Sequence, residues 1–170
     1  MINDSTKKLV WAGLFTALTT VATIIPIPLR ISPNGYVNVG DALVIVSAFL
    51  LSPGWGALAA GLGSALADVL TSYFVYAPAT LIIKALMALA AGAVLRRFKT
   101  NKTILPAVLG SICAEIIMVS GYFVYDFLIF GIEGAIADIA GNVVQGTFCA
   151  VAGTALFFAL LRIPYVKKTF

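Results

Sequence analysis

Lys84 lies about two turns into the apolar segment that begins near Ala77, APATLIIKALMALAAG, and Asp68 closes another, GALAAGLGSALADVL. A lone ammonium or carboxylate in hydrocarbon is costly, so charges in such runs pair, face water or mark a pathway. The two flank the turn TSYFVYAPAT, which makes Asp68 and Lys84 expected partners. Further polar residues fall at helical spacing. Tyr76, Thr80 and Lys84 form one stripe; Glu115, Val119, Tyr122 and Asp126 form a second; Asp138, Asn142 and Gln145 form a third. In lipid, stripes of this kind turn toward one another or toward water. Groups of this chemistry hydrogen-bond and orient a small polar guest, while Tyr36, Tyr73, Phe74, Tyr76, Tyr122, Phe123 and Tyr125 supply aromatic walls.

Reaction chemistry is poorly represented. Histidine is absent, which removes the usual general base and the commonest metal ligand. No Walker A sequence and no Gly-x-Ser-x-Gly elbow occurs, and GLGSAL at Gly61–Leu66 lacks the glycine spacing of a dinucleotide loop. The expectation is a non-enzyme without metal or cofactor. Cys113 and Cys149 sit deep in apolar segments and read as core fillers.

The elements that must position these groups follow from composition. The 170 residues are 61% hydrophobic and 11% charged, with mean hydropathy +1.06. That balance indicates an all-α integral membrane protein forming one domain over residues 1–170. A crossing takes about 20 residues, so the length accommodates roughly six helices. Expected segments run from about Lys8 to Ile27, Val39 to Leu51, Gly54 to Thr71, Ala77 to Leu95, Ile104 to Phe130 and Ile132 to Leu161. The first reads as a retained helix, because it is long for a signal sequence and ends at Pro26 and Pro28 without a clear cleavage site.

The second segment is short. Counting it as a crossing puts Lys7, Lys8, Arg96, Arg97, Lys99, Lys102, Arg162, Lys167 and Lys168 on one side, nine of the eleven basic residues. Six transmembrane helices with both termini cytoplasmic satisfy that bias, which also explains the +4 charge without nucleic acid. The segment from Pro28 to Gly40, rich in Pro, Gly and Asn, is expected to be an ordered loop roofing an outer-half cavity, with Tyr36 and Asn38 among its binding residues. Asp41 follows it as an expected helix cap.

Each of these groups also has a purely structural reading. Asp41, Glu133 and Asp138 would be helix-start residues, Asp68 and Lys84 an ion pair, and the tyrosines an interfacial belt. Glu115 reads either as a coupling residue or as a neutral acid hydrogen-bonded in the bundle. If the cavity forms, its five outer acids against Arg30 and Lys84 favour a neutral or weakly basic guest, a compact heteroaromatic with hydroxyl or amino groups. Small residues four apart, Gly56 with Ala60 and Ala57 with Gly61, mark a close-approach face in the third segment, expected to dock a partner. The competing reading is a stand-alone channel or proton-linked carrier using Glu115 and Asp126 as relay groups.

The stretch Asn38–Gly92, NVGDALVIVSAFLLSPGWGALAAGLGSALADVLTSYFVYAPATLIIKALMALAAG, together with GYFVYDFLIFG and GNVVQGTFCAVAG, resembles the substrate-binding S components of energy-coupling factor (ECF) vitamin transporters. The likeness spans nearly the whole chain. It implies a six-helix subunit in a bacterial cell membrane that captures a vitamin at the outer face. It also implies association with a transmembrane coupling protein and two ATPases. Family members carry Ala-x-x-x-Ala in the first helix for the coupling contact; here those positions read Gly13 and Ala17. Among vitamin classes, the acid-rich cavity leans toward pyridoxine or hydroxymethylpyrimidine, with riboflavin and pantothenate open.

Overall fold

The computed structural model describes residues 4–28, 36–98 and 104–169. Within them the chain forms α1 (Asp4–Ile24), β1 (Ile27–Pro28), β2 (Tyr36–Val37), α2 (Gly40–Leu50), α3 (Pro53–Leu70), α4 (Ala77–Arg97), α5 (Ile104–Leu160) and α6 (Pro164–Thr169). The expected loop from Pro28 to Gly40 therefore carries a two-residue antiparallel ladder, Ile27 opposite Val37 and Pro28 opposite Tyr36. Arg30, Lys99 and Lys102 lie outside the described residues, as does the side chain of Tyr36.

α5 is two helical arms, 104–130 and 132–160, joined at Gly131, whose φ of 75° and ψ of −174° fall outside helical space. That combination is open almost only to glycine. The arms run antiparallel: Ser111 and Thr154 share a hydroxyl–hydroxyl hydrogen bond of 2.8 Å, and Glu115 lies against Gly146, so residues at similar distances from Gly131 meet. Each arm exceeds the length a crossing needs. By length and composition α4 and α5 are the described helices apolar enough to span a membrane.

α2 is the central element. Its eleven residues rise only about 16 Å, roughly half a hydrocarbon core, and every one except Leu43 is buried. It packs against α1, α3, α4 and α5. Val44, Ile45, Val46 and Phe49 meet Met87, Ala91, Leu95, Met118 and Phe157 in the apolar core. The start of α2 meets α4 not at its first residue but at Lys84, seven residues in, through Asp41.

The apolar surface is inverted relative to a water-soluble bundle. Leu9, Val10, Leu62, Ile82, Leu86, Ile116, Leu128 and Val151 are exposed, whereas Thr19, Asp41, Lys84, Glu115 and Asp126 are buried. Outward apolar and inward polar groups are what lipid as solvent requires.

The small-residue face of α3 does not stand open. Gly56, Ala57, Ala60 and Gly61 are all buried within the chain. A methyl at Gly61 would stand 2.7 Å from the Leu81 carbonyl oxygen, and one at Gly56 3.1 Å from that of Ser47. These residues let α4 and α2 approach the α3 backbone, so the expected docking role for Gly56, Ala57, Ala60 and Gly61 is corrected to intramolecular packing. Gly13 and Ala17 on α1 are exposed, and a methyl at Gly13 would meet nothing within 4 Å.

Candidate functional site

The N-terminus of α2 enters the bundle at the level of Lys84, seven residues and about 10 Å below the start of α4. Lys84 Nζ donates to Asp41 Oδ1 at 2.5 Å, with Lys84 4% and Asp41 1% exposed. Gln145 Nε2 donates to Asp41 Oδ2 at 2.7 Å. The Gln145 amide oxygen in turn accepts from the Asn38 backbone N–H at 3.0 Å. The Asn38 side-chain oxygen accepts from the Gly40 N–H at 2.9 Å, and the Cys149 thiol points to the Asn38 carbonyl at 3.4 Å. Four segments thus meet in one continuous polar layer, which low surrounding polarity strengthens when every member is satisfied.

Two sequence expectations change here. Lys84 pairs with Asp41, not Asp68, because α2 inserts beside α4 and brings in a carboxylate 43 residues away. Asp68, half-buried, instead interacts with Thr80 and feels Lys84 only through its charge; its Oδ2 has no hydrogen-bond partner among the described residues. Asp41 is not the cap of α2 either. Val39 occupies that position without a side-chain cap bond, and the Asn38 amide serves the Gly40 N–H. Asp41 was the site residue sequence reasoning passed over, although a single carboxylate inside VNVGDALVIVSAFLL falls under the same rule that singled out Lys84.

Above this layer stands an aromatic wall. Lys84 Nζ lies 5.2 Å from the Tyr122 ring centroid, within cation–π reach. The Tyr122 hydroxyl is 2.9 Å from that of Thr80, and the Tyr76 hydroxyl donates to Asp126 Oδ1 at 2.9 Å. Tyr76 is surrounded by the rings of Tyr73, Tyr122, Tyr125 and Phe130, with centroids 5.5–6.4 Å away. Tyr125 donates to the Val75 carbonyl. The structure therefore brings Asn38, Tyr76, Thr80, Lys84, Tyr122, Asp126 and Gln145 together. Asn142 is half-buried one turn above Gln145 and makes no hydrogen bond among the described residues. Asp138 is exposed and reaches Tyr76 and Asp126 only through its charge. Glu133 is exposed as well.

A groove of about 780 Å³ runs between the arms of α5, from Val119 and Val143 to Ile104 and Phe158, with Glu115 in its wall. The roof that sequence reasoning placed over an outer cavity includes residues 29–35, outside the described residues. Among the described residues no cluster of three or more carboxylate or thiol ligands could hold a metal.

A helical bundle with inverted polarity, a satisfied polar layer at mid-depth and tyrosines above it has the makings of a membrane-embedded binder of small molecules. Comparison with known sequences is specific about the kind: the profile of the ECF-type riboflavin transporter S component matches residues 3–162. The chain belongs to that family of ECF transporter S components, substrate-binding subunits of vitamin transporters, which is a transporter family and not an enzyme family. An uncharacterized protein of Pyrococcus woesei is 34% identical over 146 residues, covering 85% of this chain and 93% of its own length. The thiamine precursor transporter HmpT of Lactococcus lactis subsp. cremoris is 29% identical over 170 residues, covering 99% and 93%. The solved S component of a bacterial ECF transporter superposes with a TM-score of 0.75 over 94% of this chain and 98% of its own, at 20% identity, a likeness of fold.

Proposed function

We propose that this chain captures a compact heteroaromatic vitamin or vitamin precursor, of the hydroxymethylpyrimidine or pyridoxine class, in the outer half of the bundle. The observation that carries the reading is the Asp41–Lys84–Gln145 layer, with the Tyr76 and Tyr122 rings standing over it. Rings that stack and amides that exchange hydrogen bonds suit a flat, neutral or weakly basic guest. Asn142, with its amide uncommitted, is the group best able to bond the guest directly, with Asn38, Tyr36 and Asp138 proposed as further contacts. The likeness to a thiamine precursor transporter supports the pyrimidine class, and the riboflavin profile keeps a larger flavin in the comparison.

Six crossings of one domain, with both termini on the cytoplasmic side of a plasma membrane, are drawn from α1 to α4 and the two arms of α5, leaving the six-residue α6 outside the count, and from the distribution of basic residues. Delivery then needs a transmembrane coupling protein and two ATPases, with Gly13 and Ala17 offering a free small-residue face on α1.

The test is mass spectrometry of small molecules released when the purified protein is denatured, followed by titration of hydroxymethylpyrimidine, pyridoxine and riboflavin. A pyrimidine or pyridine should be recovered, and Asn142→Ala should weaken its binding by about 1–3 kcal/mol, the cost of an unpaired buried group. Recovery of a flavin, or unchanged affinity in a folded Asn142→Ala protein, would overturn the assignment.

A further inference from the structure

The groove between the α5 arms has no part in vitamin capture as proposed, and its chemistry is different. Its walls are apolar: Ile104, Val108, Ile112, Ile116, Val151 and Phe158. Its hydroxyls are largely spoken for, because Ser111 bonds Thr154 at 2.8 Å and Thr147 donates to its own helix at the Val143 carbonyl, also at 2.8 Å. Glu115 is the exception. It is 6% exposed, lies in the groove wall against Gly146, and neither carboxyl oxygen has a hydrogen-bond partner among the described residues. Among the described residues no nearby cation completes it, because the Lys84 ammonium is bonded to Asp41.

We propose that this groove binds an amphipathic monocation, an apolar chain ending in one ammonium group that donates to Glu115. The volume lies within the range of small-ligand sites, and the groove supplies what each part of such a molecule needs. From Glu115 to Ile104 the wall runs eleven residues, about 16 Å along the helix, a length of apolar surface that accepts an extended alkyl chain. The ammonium would satisfy an otherwise orphaned acceptor, and a charge-assisted bond there replaces the cost of an unpaired buried carboxyl. A neutral chain of the same length gains the apolar contact alone.

The full chain in lipid nanodiscs can be photolabelled with a diazirine-bearing dodecylammonium probe and, separately, with the matching dodecanol probe. The amine should label peptides covering 104–120 and 143–158 at least about tenfold more than the alcohol, the discrimination expected of one charge-assisted bond. Glu115→Gln should remove that preference, with the thermal midpoint not lowered. Ile112→Trp, which fills the groove without touching the carboxyl, should abolish labelling by both probes. Equal labelling by amine and alcohol would mean that the groove takes lipid tails without regard to charge, and would overturn the proposal. So would an unchanged preference in Glu115→Gln, or no labelling of these segments at all. Hydroxymethylpyrimidine binding followed on the same preparations separates this outcome from the vitamin reading, since neither variant alters Asp41, Lys84, Gln145 or Asn142.

Discussion

Asp41 and Glu115 are both carboxylates buried in the same bundle, at similar depth, and they are solved in opposite ways. Asp41 receives an ammonium at 2.5 Å and an amide at 2.7 Å, each from a different helix. Glu115 receives no donor among the described residues. The contrast separates two uses of a buried charge. One ties helices together and fixes a unique arrangement, while the other holds unspent bonding capacity beside open space. Removing a partner from the first is therefore costly, whereas neutralising the second should cost the fold little.

The strongest way to break the comparison is Lys84→Met. It strands Asp41 without its counter-charge and should destabilise the protein by about 3–5 kcal/mol, read from chemical unfolding in detergent. Adding Asp41→Asn to that variant should recover most of the loss, because replacing both members of a buried pair is far milder than removing one. Gln145→Ala comes next, at about 2–3 kcal/mol, since it deletes a donor to a charged group and frees the Asn38 N–H. Gly131→Ala should cost about 1–3 kcal/mol through backbone strain alone, because a methyl there meets nothing within 4 Å. Glu115→Gln sits at the other end. It should leave the unfolding midpoint unchanged or raised, by no more than about 1 kcal/mol, and a large loss would show that Glu115 holds the fold as Asp41 does.

Much of the architecture was legible in the sequence because each boundary had a local physical cause. Pro53 sits at the first position of α3, the arms of α5 divide at Gly131, and the polar stripes at helical spacing turn inward as lipid demands. What was hidden depended on which helix lay beside which. The Asp68 and Lys84 pairing looked natural from nearness in sequence, but α2 intrudes between distant segments and Asp41 takes the ammonium. Gly56 and Gly61 advertise close approach without saying to whom; the partners are α2 and α4 of the same chain. The short helix Pro164–Thr169 and the ladder between Ile27 and Val37 carried too few residues to leave a periodic trace. The spare bonding capacity of Glu115 appears only once every neighbour is known.

α4 grips α2 at both extremities: Lys84 holds Asp41 near its beginning, and Arg96 donates to the Ala48 carbonyl at 3.2 Å and to that of Leu51 at its end. Twelve residues of α4 and ten of α2 separate these anchors, about 18 and 15 Å, so the spans match like two rails with common sleepers. One extra residue inserted between Lys84 and Arg96 would swing one anchor round by about 100°, and no slide of α2 could then re-engage both. The spacing between those two cations is thus a ruler, and the floor beneath the tyrosines travels with α4 as a single piece.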